Sequence, residues 1–205
     1  MISDLIQTET ELEQMFAKPA SISIVKVTPR LTDAYRRWIE ASPFFAIATT
    51  GPEGLDCSPR GDSAGFVRVA DDSTLLLPER RGNNRLDTLR NIVKDPRVAL
   101  LFLVPGIAET LRVNGRAVLS RNAELCGSFT VQGKAPQVVI VVSIEAVYFQ
   151  CARALVRSRL WDPAGFRNPR ELPTAGAMLV EASGGNEDGA KYDANLPERL
   201  RTTLY

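Results

Sequence analysis

The sequence contains no histidine. That absence removes Ser-His and Cys-His nucleophilic pairs, the H-E-x-x-H metal site and histidine general-base chemistry. Cysteine is scarce. Cys57, Cys126 and Cys151 are widely spaced, odd in number and form no C-x-x-C pair, which argues against a disulfide framework or a zinc site and leaves free thiols as the default. Long apolar runs are missing too. The longest, Val98–Val104 and Val138–Val142, fall far short of the roughly 20 residues a membrane helix needs. Met1–Gln7 shows no basic, apolar leader pattern, so the expectation is a cytoplasmic protein without a signal peptide. A net charge of +1 gives no global attraction to nucleic acid, and no helix-turn-helix or zinc module is readable.

What is present describes a folded chain. Its 205 residues, 44% hydrophobic and 24% charged, suit one domain with a sizeable core. The expected organisation is an N-terminal helical segment over residues 1–42, a core over 43–150 and a helical or extended extension over 151–205. Helices are expected over 3–17 and 31–41, the second starting near Thr32 or Asp33. The pattern then turns to short strands at 44–50, 55–59, 65–69 and 74–77. A helix follows at 85–94, then strands at 98–104, 109–119 and 137–149. Further helices are expected at 122–131, 151–157, 175–182 and 197–202. About six strands at short spacing, with one helix inserted among them, suggest a mainly β, α+β fold built on a small antiparallel barrel, with an open sheet as the alternative.

Charge is unevenly spread. From Arg80 to Arg121 there are nine Lys/Arg against three acids. This is either a solvated basic face or a site for a small anion. The second reading draws on Pro78-Glu79-Arg80-Arg81-Gly82-Asn83-Asn84-Arg85, a polar loop that opens a helix. Asn83 or Asn84 could cap that helix. Three arginines around a positive helix end, however, are costly without a counter-anion such as phosphate. Arg60, in Ser58-Pro59-Arg60-Gly61-Asp62, either joins that anion from a strand end or pairs with Asp62 in a surface turn. In Glu109–Leu119, Thr110, Arg112, Asn114 and Arg116 alternate with Leu111, Val113, Ala117 and Leu119. The polar set faces solvent or a heteroaromatic ring such as flavin, whose reduced form a nearby cation stabilises. Arg153 and Arg157 share one helical face. Trp161 is either a packing residue or a flat surface beside a ring site.

In order and content these features resemble the pyridoxamine 5′-phosphate oxidase-like FMN-binding family. The likeness runs from about Phe44 to Trp161. It rests on Phe45–Thr50, Ser58-Pro59-Arg60, Arg81-Gly82-Asn83-Asn84-Arg85, Asn91…Asp95-Pro96-Arg97-Val98 with the apolar strand after it, and Glu109–Ala117. The Arg-Ser-x-Leu-Trp tail resembles a branch of FMN-dependent proteins with no settled substrate. The resemblance implies a homodimeric split β-barrel holding FMN at the subunit interface. It implies Arg60 near the phosphate or ribityl chain, Asn83, Asn84 and Arg85 at the phosphate, Glu79 beside the ring and Thr110 near its pyrimidine edge. Arg112 joins them on its alternation, and Arg157 and Trp161 would reach the site from a partner subunit.

The departures from that pattern are specific. Gly65 stands where the oxidase has a lysine, Pro78-Glu79 where it has Tyr-Thr, and Asn83-Asn84-Arg85 where it has Ser-Arg-Lys. The oxidase's C-terminal Arg-x-His is absent, and Gln150-Cys151 replaces the His-Cys of the related branch. These differences argue against oxidation of pyridoxine 5′-phosphate itself. The leading expectation is an FMN-dependent oxidoreductase of unnamed substrate. The alternatives are a non-catalytic flavin-binding or sensing protein and a binder of another planar ligand, such as a deazaflavin. Haem is disfavoured without histidine, and no metal site is expected.

Overall fold

The computed structural model describes residues 3–205; Met1 and Ile2, the start of the stretch read for a leader, lie outside the described residues. Seven strands form one antiparallel sheet: β1 Phe44–Gly51, β2 Gly54–Gly61, β3 Arg68–Asp71, β4 Thr74–Pro78, β5 Arg97–Leu103, β6 Thr110–Ser120 and β7 Val139–Gln150. Their order is β2-β1-β5-β6-β7-β4-β3. The sheet curls without closing, so the fold is the expected α+β split barrel, with seven strands rather than about six. Each strand answers to one of the segments expected from the sequence; β3 and β4, the two shortest, meet at Asp71–Thr74.

The strands alternate because one face is buried. Phe45, Ile47, Leu100, Phe102, Leu111, Val113 and Val147 are all essentially inaccessible. Phe45 stacks on Phe66 at 5.7 Å and packs at a tilt against Phe102 at 5.1 Å. In β7 the residues of the main core are Ile140, Val142 and Ile144, then Val147, so the two-residue period slips once. The ladder shows why: Asn114 pairs with Ala146 but Gly115 with Ile144, leaving Glu145 as the extra residue of a β-bulge. Gly115 is required there, since a Cβ on it would lie 2.1 Å from the Ser143 carbonyl oxygen.

Helix α1 covers Glu9–Met15, α2 Ser21–Val25 and α3 Asp33–Ala41. Thr32 caps α3 by accepting from the Tyr35 amide, and Ile39 enters the core. Helix α4, Asp87–Lys94, seals one end of the barrel. Its buried Asn91 donates to Thr49 Oγ1 at 3.2 Å and fills the space above Gly51, where a Cβ would meet Asn91 Oδ1 at 2.3 Å. Helix α5, Ala123–Ser128, places Cys126 and Phe129 over Val139 as a small satellite core. The C-terminal part holds α6 Arg153–Ser158, α7 Ala175–Ala182 and α8 Gly189–Thr203. The last is far longer than the expected 197–202, because Asp188 caps it and Pro197 is accommodated within it. Helices α7 and α8 touch at Gly176 and Gly189, where a Cβ on either would strike the other's carbonyl oxygen.

Candidate functional site

β2 exposes Leu55, Cys57 and Pro59 and turns Asp56, Ser58 and Arg60 inward. This is the period-2 geometry of a strand. Across the open seam of the barrel, Glu79 follows β4 and is held by its amide to the Val138 carbonyl at 3.0 Å. Arg60 Nε donates to Glu79 Oε2 at 3.1 Å, and a second guanidinium nitrogen donates to Thr88 Oγ1 at 3.2 Å. Thr88 in turn donates to Asp56 Oδ2 at 2.6 Å, and Ser58 Oγ donates to Asp56 Oδ1 at 2.9 Å. The network joins β2, the end of β4 and α4. It also answers the alternatives for Arg60: its partner is Glu79, not Asp62. Burial pushes the Glu79 carboxyl up from its ordinary range; Arg60 opposes the shift and Asp56 adds to it.

Asp62 belongs to a second cluster. Arg80 Nε donates to its Oδ2 at 2.8 Å, Tyr205 Oη donates to its Oδ1 at 2.8 Å, and another Arg80 nitrogen donates to the Phe129 carbonyl at 2.8 Å. The Tyr205 ring lies 5.5 Å from the Arg80 guanidinium. The C-terminal residue is thereby brought to the rim of the seam.

Between these clusters and α4 lies a cavity of about 910 Å³. Arg60, Glu79, Asn83, Asn84 and Arg85 all line it, so five of the nine residues singled out from the sequence come together. Its charged lining is Arg60, Arg80, Arg81, Arg85 and Lys134 against Asp56, Glu79 and Asp87, with Asp62 behind it paired to Arg80. The asparagines do not cap α4. Its N-cap is Leu86, left-handed at φ 64°, with no side-chain hydrogen bond. Asn83 Oδ1 instead accepts from the Arg85 amide at 3.0 Å, and Asn84 is left-handed at φ 60°. The start of α4 therefore faces the cavity without a side-chain cap, where its positive end suits an anion. Arg85 pairs with Asp87 at 2.7 Å and is largely exposed.

The other four residues lie outside this cavity. Thr110 is buried at the start of β6. Arg112 donates to Tyr148 Oη at 3.1 Å across the β6–β7 ladder. Arg157 is exposed on α6. Trp161 Nε1 donates to the Ile107 carbonyl at 2.8 Å, tying the tail to the β5–β6 connection. Asp56, Thr88, Lys134 and Tyr205 are cavity residues the sequence reading missed. Asp56 was detectable, since it shares the inward face of β2 with Ser58 and Arg60 at a spacing of two. Cys57 and Cys151 are exposed and Cys126 is buried, all three free. Among the described residues no acid or cysteine cluster is arranged to hold a metal, and no helix is long and apolar enough to cross a membrane.

Comparison with known proteins gives a family match. A family model described as pyridoxamine 5′-phosphate oxidase matches residues 31–151, more than half of the chain. No curated protein matches. Similar solved structures include an FMN-binding protein from Syntrophomonas wolfei subsp. wolfei, at 9% identity and TM-score 0.46, covering 70% of this chain and 96% of that one. HupZ of Group A Streptococcus is similar at 18% identity and TM-score 0.46, with coverage of 57% and 91%. General Stress Protein 26 of Bacillus anthracis str. Sterne is similar at 14% identity and TM-score 0.42, with coverage of 55% and 88%.

Proposed function

The chain belongs to the pyridoxamine 5′-phosphate oxidase family, and from that premise we propose that it is an FMN-dependent oxidoreductase whose phosphate-binding half is the cavity between β2 and α4. One observation supports the reading: a cavity lined by five basic side chains is bordered by a helix start that has no side-chain cap. A phosphate monoester is the complementary ligand, dianionic and able to accept from backbone amides and guanidinium groups together. The cavity volume also lies within the roughly 300–1,000 Å³ of small-molecule and cofactor sites.

In this assignment Arg85 and Arg81 meet the phosphate, Asn83 and Asn84 shape the loop around it, and Arg60 serves the ribityl end. Glu79 stands beside the ring and holds Arg60 in place. FMN, when bound, supplies the electron transfer; the protein supplies its orientation and electrostatic surroundings. Thr110, Arg112, Arg157 and Trp161 lie outside the cavity of their own chain. We assign them to the ring end of a site completed by a second subunit, with Arg157 and Trp161 contributed across the interface. The substrate is a small molecule other than pyridoxine 5′-phosphate, given the missing Arg-x-His.

The absence of histidine favours a second reading, a flavin-binding protein that does not turn over. The visible spectrum of protein purified without added cofactor, before and after FMN addition, tests the first step. Flavin bands near ~375 and ~450 nm retained through desalting are expected. Loss of all FMN on desalting would overturn the proposal. Stopped-flow mixing with nicotinamide donors then separates the readings, since a non-catalytic carrier is reduced no faster than free FMN.

A further inference from the structure

The chain exposes 14084 Å², whereas a compact monomer of its 22.5 kDa exposes about 9,500 Å². The excess, roughly 4,600 Å², is several times the ~800 Å² that each partner buries in a stable complex of ordinary size. Part of it has a clear address. Leu12, Met15, Phe16, Ile22, Ile24 and Val25 are 46–71% exposed, and neither α1 nor α2 buries a single residue. Helices of seven and five residues are not stable in water by themselves. Yet α1 is well specified, with a capping box between Thr8 and Glu11. A helix that is locally encoded and apolar on a free face requires a surface to pack against.

Its own barrel does not provide one. Among the described residues the arm is fastened at its base. Thr28 exchanges two backbone hydrogen bonds with Val147, at 3.0 and 2.8 Å, Tyr35 Oη donates to the Lys26 carbonyl at 2.8 Å, and Lys26 Nζ sits 4.7 Å from the Phe149 ring centre. Upstream of that base, residues 5–25 carry three acids, Glu9, Glu11 and Glu13, against one basic residue, Lys18. One bare stretch of the barrel carries the opposite charge. Val93 is 74% exposed on α4 beside Arg90, and Val118 is 62% exposed on β6 beside Arg116. Among the described residues neither arginine has an ion-pair partner within 4.0 Å.

We propose that residues 5–25 form an exchanged arm that packs on the α4–β6 face of a second copy of this chain. The apolar residues of the arm meet Val93 and Val118, and its acids meet Arg90 and Arg116. The partner is another copy because the acidic arm and the basic face are both present, and both uncovered, in the same chain. The inference stands on burial and charge and does not depend on which ligand the cavity takes.

The test uses the full chain with a photo-crosslinking p-benzoylphenylalanine at position 16, in a mixture of light and 15N-labelled protein. Cross-links joining light to heavy peptides at α4 or β6 are expected; cross-links confined to one chain would overturn the proposal. In parallel, Leu12→Asp, Phe16→Asp and Ile24→Asp are combined, and the dimer dissociation constant is read by light scattering. An increase of about tenfold or more is expected, with Leu55→Asp, an exposed position outside the arm, leaving it unchanged. Equal dissociation constants for the triple variant and the parent would overturn the proposal, as would a parent that is monomeric at every concentration.

Discussion

Arg60 and Glu79 meet across the one seam of the barrel that no backbone ladder closes, 3.1 Å apart and each about one-fifth exposed. Arg60 lies on the edge strand β2 and Glu79 just after β4, which neighbours the other edge strand β3, so their ion pair fastens the mouth of the cavity. Thr88 accepts from the other side of the same guanidinium and is itself held by Asp56. A site fastened in this way is electrostatically prepared before any ligand arrives.

The first prediction concerns pH. Glu79 has a raised folded-state pKa, caused first by burial. Its native carboxyl binds a proton more readily than its unfolded one, so its contribution favours folding below about 4.5, its ordinary value, and declines as pH rises through the raised value. Glu79→Gln removes that decline. Urea unfolding from pH 4 to about 7 should show the variant gaining on the parent as pH rises. A constant difference would mean Glu79 does not titrate in this window.

Arg85→Ala should weaken FMN binding by about 1.5–3 kcal/mol, the worth of a charge-assisted phosphate contact. Riboflavin, which lacks the phosphate, is the internal control and should bind both proteins alike. Flavin fluorescence titration reads both ligands. Equal FMN affinity in the two proteins would remove Arg85 from the phosphate site.

Asp62→Ala should destabilise the fold by about 3 kcal/mol, because Arg80 is left with a buried, uncompensated charge. The Asp62 side chain is 4% exposed and that of Arg80 15%. Tyr205→Phe removes only the phenol hydrogen bond and should cost about 1 kcal/mol. Thermal or urea denaturation ranks the two, and the reverse order would contradict this arrangement.

Gly115→Ala should cost about 1–3 kcal/mol through overpacking, since the new methyl group would sit against the Ser143 carbonyl. Gly82→Ala, where a Cβ meets nothing within 4 Å, is the matched control.

Trp161→Ala should alter the fluorescence yield of bound FMN if the tail of one subunit borders the ring of the other. An unchanged yield together with lowered stability would leave Trp161 as the residue that docks the tail on Ile107.

The sequence revealed what depends on near neighbours. Helix α7 runs from Ala175 to Ala182 as expected, and of the two candidates at the start of α3, Thr32 and Asp33, Thr32 is the cap; both are set by local spacing and capping chemistry. The loop from Asn83 to Arg85 was legible as the polar segment that leads into α4, and it lines the cavity. The asparagine caps were misread because two left-handed residues, Asn84 and Leu86, delay the helix to Asp87. Helix α2 was missed because its five residues carry neither a side-chain cap nor a buried face. The pairing of Arg60 with Glu79 and the arrival of Tyr205 at Asp62 depend on how the sheet curls and where α8 ends, over sequence separations of 19 and 143 residues. No local pattern encodes those distances.

The bulge at Glu145 has a consequence for insertions and deletions. Because Asn114 and Gly115 face Ala146 and Ile144, the ladder counts one residue fewer than the chain supplies. Loss of Glu145 would leave every pair on either side matched and Val147 still pointing inward. Loss of one residue from the regular stretch between Val139 and Ile144 would instead turn inside to outside along that stretch. In β7, therefore, tolerance to shortening should be concentrated at a single codon.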